Sequence, residues 1–194
     1  MTLRKREHLS EAFRRKLPLG KVPVLQEGSW TLPESCAILR YLCNTRPGLA
    51  AWYPSSPRER AVVDGALDWH HATLRRGAST LVFFRFFRNV SAPPEEDKRV
   101  KEAVDTLRAA LGQLESYWLR DGRRFVSGEQ PCIADLVLAC EVSQLSLLSV
   151  QPDAAALLSP RVRQWLAAVE AATQPHWGEV HAAIVEAKAA RARL

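Results

Sequence analysis

Two long periodic runs constrain this chain more than any other feature. Val63, Leu67, His70, Leu74, Ala78 and Leu81 recur at three- and four-residue steps, and Val100, Val104, Leu107, Leu111, Leu114 and Trp118 repeat the pattern more cleanly. That spacing lays one stripe along a helix of 3.6 residues per turn and does not fit a strand, whose faces alternate every second residue. Each run predicts one long helix. Further helices are expected at about 132–148 and 161–171, and from about 176 to near 190. Pro131, Pro160 and Pro175 each stand just before a helical run, where a missing N–H costs little. No strand pattern and no internal repeat is visible in this part of the chain.

The first fifty residues have a different grain. Val22-Pro23-Val24-Leu25 and Trp30-Thr31-Leu32 are short apolar runs separated by Glu27-Gly28, a pattern that predicts a β-hairpin. A helix follows, opened by Pro33-Glu34-Ser35, with Cys36, Ile38, Leu39 and Leu42 on its buried side. Arg46 to Pro57 carries Pro47, Gly48, Pro54 and Pro57 and reads as a linker. The expected fold class is therefore α/β plus all-α: a small α/β piece over 1–45, a linker over 46–57 and a helical domain over 58–194.

Several function classes fall away on elementary grounds. Six Trp and six Phe offer too much apolar area for a disordered chain. No apolar stretch approaches the roughly 20 residues of a membrane span, and Met1-Thr2-Leu3-Arg4-Lys5-Arg6 lacks the apolar core of a secretory signal. Cys36, Cys43, Cys132 and Cys140 lie 7, 89 and 8 residues apart. They form neither a disulfide framework nor a zinc site, so a reducing compartment is expected and no metal is assigned. Net charge is +6, and the first 21 residues alone carry +5. Such a basic front suits nucleic acid, an anionic surface or an anionic small ligand.

The segment Lys21-Val22-Pro23-Val24-Leu25, then Gly28, then Pro33-Glu34-Ser35-Cys36-Ala37-Ile38-Leu39-Arg40-Tyr41-Leu42 resembles the glutathione-binding half of glutathione transferases. Leu67-Asp68-Trp69-His70-His71 with Leu74-Arg75-Arg76-Gly77-Ala78, and Ser127-Gly128-Glu129-Gln130-Pro131-Cys132-Ile133-Ala134-Asp135-Leu136, are similar to the theta class, particularly its plant-type members. The three motifs fall in the family's order, and the resemblance runs from about His8 to about Lys188. It implies a thioredoxin-like N-terminal domain, here partial, followed by an all-helical C-terminal domain, with glutathione bound between them. It also implies a homodimer that uses glutathione as co-substrate, without any other cofactor, on hydrophobic electrophiles.

The resemblance assigns roles that suit an extended peptide with two carboxylates and an α-amino group. In the family the bond matching Val22–Pro23 is cis, and the Val22 main chain pairs with the cysteinyl unit as an added strand would. Glu34 meets the γ-glutamyl ammonium. Ser35, at a helix N-terminus, offers a hydroxyl and an N–H to the γ-glutamyl carboxylate. Lys21 and His8 fall where theta-class enzymes contact the glycyl end. Arg75 faces the electrophile site. Phe83-Phe84-Arg85-Phe86-Phe87 is expected in the core, part of it lining the electrophile pocket, with Trp69 and Trp118 in the core.

The chain departs from the family in two places. The matching residues begin at the family's second helix, so the first strand, first helix and second strand, with the Ser that activates the thiol, would lie before Met1. Ser10 and Ser29 do not match that catalytic position. A missing first exon, a short isoform and a degenerate homologue kept for binding would each explain this, and each predicts little conjugation by these 194 residues. The second departure is Cys132 where the family's helix cap has Ser or Thr. A thiol is a poor acceptor, so Cys132→Ser is expected to raise the melting temperature. The rival class is a non-enzymatic scaffold module whose basic front meets RNA, although nucleic acid is not the expected partner. Ala192-Arg193-Leu194 resembles a peroxisomal signal of the Ser-Lys-Leu type, so the peroxisome or the cytoplasm is expected.

Overall fold

Why the first fifty residues make a hairpin is seen at its turn. In the structure, a computed structural model that describes residues 6–91, 93, 95–148 and 157–191, β1 (Val24–Glu27) and β2 (Trp30–Pro33) are joined by Gly28-Ser29 alone. Gly28 takes φ +59°, a conformation that costs glycine little and side-chain-bearing residues more. The strands pair antiparallel, with Val24 opposite Pro33, Leu25 opposite Leu32, Gln26 opposite Thr31 and Glu27 opposite Trp30. Before the hairpin come a 3-10 turn (Glu7–Leu9) and α1 (Glu11–Lys16), which Ser10 caps by accepting the Phe13 N–H at 3.2 Å. After it comes α2 (Ser35–Thr45), whose buried side is Cys36 and Cys43. Ile38, Leu39 and Leu42, expected on that side, are only half-buried.

The described residues fall into two compact units that divide between Tyr53 and Pro54. The stretch read as linker is not structureless, because Pro47–Trp52 forms a 3-10 helix started by Pro47.

The described elements of the second unit are helices. Among its described residues the sole strand-like pairing is an isolated bridge between Phe125 and Gly128. All twelve residues of the two periodic runs are buried, from Val63 at 0% exposure to Trp118 at 9%. At about 1.5–3 kcal/mol for each large apolar side chain buried, these two stripes contribute much of the unit's cohesion. The first run is not one helix, however. It is α3 (Pro57–Ala72) and α4 (Leu74–Val82), separated by Thr73 at φ −122°, ψ −87°. The Thr73 hydroxyl donates to the Trp69 carbonyl, and its own carbonyl accepts the Gly77 N–H at 3.0 Å. The break therefore keeps its hydrogen bonds while the stripe stays in phase.

α5 (Lys98–Gln113) continues into a π-helical turn, Leu114–Trp118, and α6 (Ile133–Ser143) into a 3-10 turn, Gln144–Leu148. α7 (Pro160–Ala172) and α8 (His176–Arg191) complete the unit. Gly77 sets how closely α4 meets α5: a Cβ there would lie 2.6 Å from the Leu107 nitrogen and 2.7 Å from its Cα. The Phe83–Phe87 stretch departs from expectation, with Phe83 49% and Phe87 68% exposed. It is a π-helical turn after α4, held from above by Arg99 over Phe84 and Arg191 over Phe86. Trp69 is half-buried, its ring against Trp118 and its Nε1 donating to Gln113 at 2.8 Å. No described helix is long and apolar enough to cross a membrane.

Candidate functional site

The hairpin's register decides which residues share a place. Because Val24 is opposite Pro33, the Val22–Pro23 segment entering β1 and the Glu34–Ser35 segment leaving β2 lie at the same open end. The Val22–Pro23 bond is cis. Glu34 stands at φ +71°, ψ 112°, where a residue with a side chain is strained. Its carbonyl accepts the Ile38 N–H at 2.9 Å, while its exposed carboxylate makes no capping bond to α2. A strained residue whose side chain does nothing for its own helix is a candidate for holding something else. Ser35 opens α2, so its N–H belongs to the first turn, where no intrahelical carbonyl is available.

Lys21 and His8 lie toward the same end. Gly20, at φ +59°, passes so close to the 3-10 turn that a Cβ would meet the His8 carbonyl at 3.4 Å. Lys21, the next residue, is exposed; His8 is half-buried, and its Nδ1 is buried with no hydrogen-bond partner among the described residues. Five predicted residues are thus gathered around one hairpin end and the turn before it. Together they present a carboxylate, an ammonium, an imidazole, a helix N-terminus with a hydroxyl, and a short extended main chain. That set matches an extended peptide carrying charges of both signs.

Arg75, the sixth, is the second residue of α4 and belongs to a network that sequence reasoning did not find. Its Nη1 lies 2.5 Å from Oε1 of Glu141 on α6. The same carboxylate accepts from Ser79 at 3.1 Å and from the Gln144 amide, and His70 Nε2 approaches it at 3.2 Å, off the line of a good hydrogen bond. Burial pushes the Glu141 carboxyl up, but His70 and the charge of Arg75 outweigh it, and the net shift is below the usual Glu value. Arg75 keeps 55% of its side chain exposed while Glu141 keeps 6%. The sequence signal for this network is a charged residue, Glu141, late in a mostly apolar helix.

Elsewhere in the second unit, Asp135 is fully buried at the start of α6. It accepts from the Val126 N–H at 3.0 Å, the Cys132 N–H at 3.0 Å and Trp165 Nε1 at 2.8 Å, and the Cys132 thiol lies 3.1 Å from it. Burial and the Asp135 charge push that thiol up to about 12. Ser10 is spent on capping α1, and Ser29 is exposed in the hairpin turn. Ala192-Arg193-Leu194 lies outside the described residues.

Comparison with known proteins places these features in context. Residues 2–50 match the family model described as glutathione S-transferase, N-terminal domain. The chain is 40% identical over 192 residues to glutathione S-transferase T1 of Arabidopsis thaliana, covering 97% of this chain and 78% of that protein. It is equally similar to T2 of the same plant but spans only 32% of that protein's length. Identity to human glutathione S-transferase theta-1 is 34%, over 95% of this chain and 76% of the human protein. Among solved structures, the apo form of human glutathione S-transferase T1-1 superposes with a TM-score of 0.82 at 34% identity, over 96% of this chain and 77% of that one. Human glutathione transferase theta-2, solved with glutathione and an unknown ligand, gives a TM-score of 0.80 at 32% identity, over 96% and 75%.

Proposed function

The chain belongs to the theta class of the glutathione transferases, and from that premise we propose that it holds glutathione at the open end of its hairpin. The reaction served is conjugation of glutathione to hydrophobic electrophiles, with reduction of organic hydroperoxides as a second activity. The observation that carries the reading is the juxtaposition of Val22–Pro23 with Glu34–Ser35 across the Val24–Pro33 pair. In it the Val22 main chain pairs with the cysteinyl unit, Glu34 takes the γ-glutamyl ammonium, and the Ser35 hydroxyl and N–H take the γ-glutamyl carboxylate. Lys21 and His8 hold the glycyl carboxylate. Arg75, anchored by Glu141 and half exposed, serves the electrophile side, where it meets an anionic substrate.

A free thiol titrates near 8.5, so conjugation at neutral pH needs a donor that stabilises the thiolate. Ser10 and Ser29 are placed for other work, so these 194 residues on their own are proposed to bind glutathione with little conjugation. The whole protein is proposed to act as a homodimer, in the peroxisome if Ala192-Arg193-Leu194 is read as a signal, and otherwise in the cytoplasm.

The test is retention of the purified chain on immobilised glutathione and its release by free glutathione. Passage straight through the column, or salt-sensitive RNA binding in place of retention, would overturn the proposal. The location is tested by fusing the last ten residues to a fluorescent protein, where a diffuse signal rejects the peroxisome.

A further inference from the structure

A second pair of reactive groups lies in the helical unit, on α6 and α8. Ser143, the last residue of α6, and His181 on α8 are joined by a 2.8 Å contact between Ser143 Oγ and His181 Nε2. The other ring nitrogen, Nδ1, faces the Trp177 carbonyl at 2.9 Å. A carbonyl only accepts, so Nδ1 carries the proton, and in the neutral ring Nε2 is left as the acceptor for the Ser143 hydroxyl. The Trp177 ring stacks on the imidazole at 3.8 Å and 22°, which fixes its plane. A nucleophile bonded to a base, and a base oriented by a third group, are two of the geometric requirements of acyl transfer.

The surroundings supply more. Ser143 and His181 both line a cavity of about 430 Å³, walled mainly by apolar side chains including Leu145, Leu166, Ile184 and Val185. Among the described residues, Arg163, Lys188 and Glu170 line it as well. Arg163 is fixed in place by donating to the Leu158 carbonyl from Nε at 2.9 Å and from Nη2 at 2.6 Å. A cation in the lining favours a developing oxyanion, and Lys188 supplies one. The Ser143 hydroxyl has a competing acceptor, the Cys140 carbonyl at 3.1 Å, so its proton is shared between a shorter bond to the base and a longer one to the helix.

We propose that Ser143 and His181 form an acyl-transfer site for carboxylic esters with an apolar acyl chain, built from none of the residues proposed to hold glutathione. Ser143 Oγ attacks the ester carbon, and its proton passes to His181 Nε2 and on to the leaving alkoxide as the carbon–oxygen bond breaks. Water then attacks the acyl-serine, gives a proton to Nε2, and releases the carboxylic acid while the proton returns to Oγ. One water is consumed and no electron is transferred.

The test is labelling of the full chain with an alkyl fluorophosphonate, followed by peptide mass mapping, alongside hydrolysis of p-nitrophenyl hexanoate. One adduct is expected, on Ser143. Ser143→Ala should abolish it, and His181→Ala should slow it about 100-fold. Ile184→Trp, which fills the cavity and leaves both reactive groups in place, should slow it as well. Saturating glutathione should leave labelling unchanged. Melting curves show that the variants fold, so a lost adduct reports chemistry. The proposal is overturned by absence of an adduct on folded wild-type chain, by labelling that survives Ser143→Ala, by a wild-type rate in His181→Ala or Ile184→Trp, or by suppression with glutathione. Any of these would leave the pair as a tie between α6 and α8.

Discussion

Arg75 and Glu141 meet at 2.5 Å with the carboxylate buried and the guanidinium half in water. This asymmetry decides what the pair contributes. A fully buried pair loses about 3–5 kcal/mol when one partner is removed, because the other is stranded. Arg75 can turn to solvent, so the cost here is smaller and falls on the groups that stay behind, His70, Ser79 and Gln144. Glu141→Gln is expected to destabilise the chain by about 2 kcal/mol in urea unfolding. The pH dependence has a definite sign. The folded Glu141 carboxyl titrates below its ordinary value of 4.5, so its stabilisation is present above that value and is lost as pH falls through the lower, folded value. The Glu141→Gln chain should therefore lose less stability than wild type between about pH 5 and pH 3. Parallel acid profiles would show that the network does not act through its charge.

Gly77 gives a sharper steric test. Alanine favours a helix interior by about 1 kcal/mol over glycine, so Gly77→Ala would stabilise a solvent-facing helix. Here the added methyl would sit 2.6 Å from the Leu107 nitrogen, against backbone that has no rotamer to yield. Overpacking of this kind costs about 1–3 kcal/mol and more against main chain, so a net loss of about 2 kcal/mol is expected. A lower urea midpoint with an unchanged slope is the predicted result. A raised midpoint would mean that α4 and α5 are not so closely packed.

The two helical stripes were legible because burial enforces a period, and every residue of both runs is indeed inside. The interruption at Thr73 was not, since a break that keeps its hydrogen bonds and its phase leaves the apolar pattern intact. The hairpin could be read from Glu27-Gly28 because a two-residue turn needs a residue that tolerates positive φ. The strain at Glu34 left no such mark, since nothing in its residue type asks for φ +71°. Glu141 escaped notice for a different reason. Its partners come from positions 70, 75, 79 and 144, and only folding brings them together. The exposed Phe83 and Phe87 show the same limit from the other side, because composition predicted a core that the π-helical turn does not build.

Cys132 bears on the start of α6. Its thiol lies 3.1 Å from the buried Asp135 carboxylate and, being held up to about 12, stays protonated. A hydroxyl in that place is a stronger donor to a carboxylate and a better acceptor for the first-turn N–H groups. Cys132→Ser is expected to stabilise the chain by about 1 kcal/mol, a rise of about 2–4 °C in melting temperature for a domain of this size. Asp135→Asn is the counterpart. Its amide group would face one of the three N–H donors that now point at carboxylate oxygen, and a loss of about 2–3 kcal/mol is expected. A fall in melting temperature for Cys132→Ser would mean that the size of sulfur matters more than its weak hydrogen bonding.

Glu34 is where stability and binding should separate. A side-chain-bearing residue at φ +71° carries strain of about 1–3 kcal/mol, and its carboxylate returns nothing to α2. Glycine removes the strain at an entropic cost of about 0.5–1 kcal/mol. Glu34→Gly should therefore raise the stability of the chain by about 1 kcal/mol. If the carboxylate holds the γ-glutamyl ammonium, the same change removes a charge-assisted contact of about 1.5–3 kcal/mol, and glutathione affinity should fall at least tenfold. Glu34→Gln, which keeps the backbone strain and removes only the charge, should lose affinity without gaining stability. Calorimetric titration with glutathione beside thermal melts of the three chains reads both quantities. Affinity retained in Glu34→Gly would remove Glu34 from the site, and stability unchanged there would mean that the strain is relieved by neighbours at no cost.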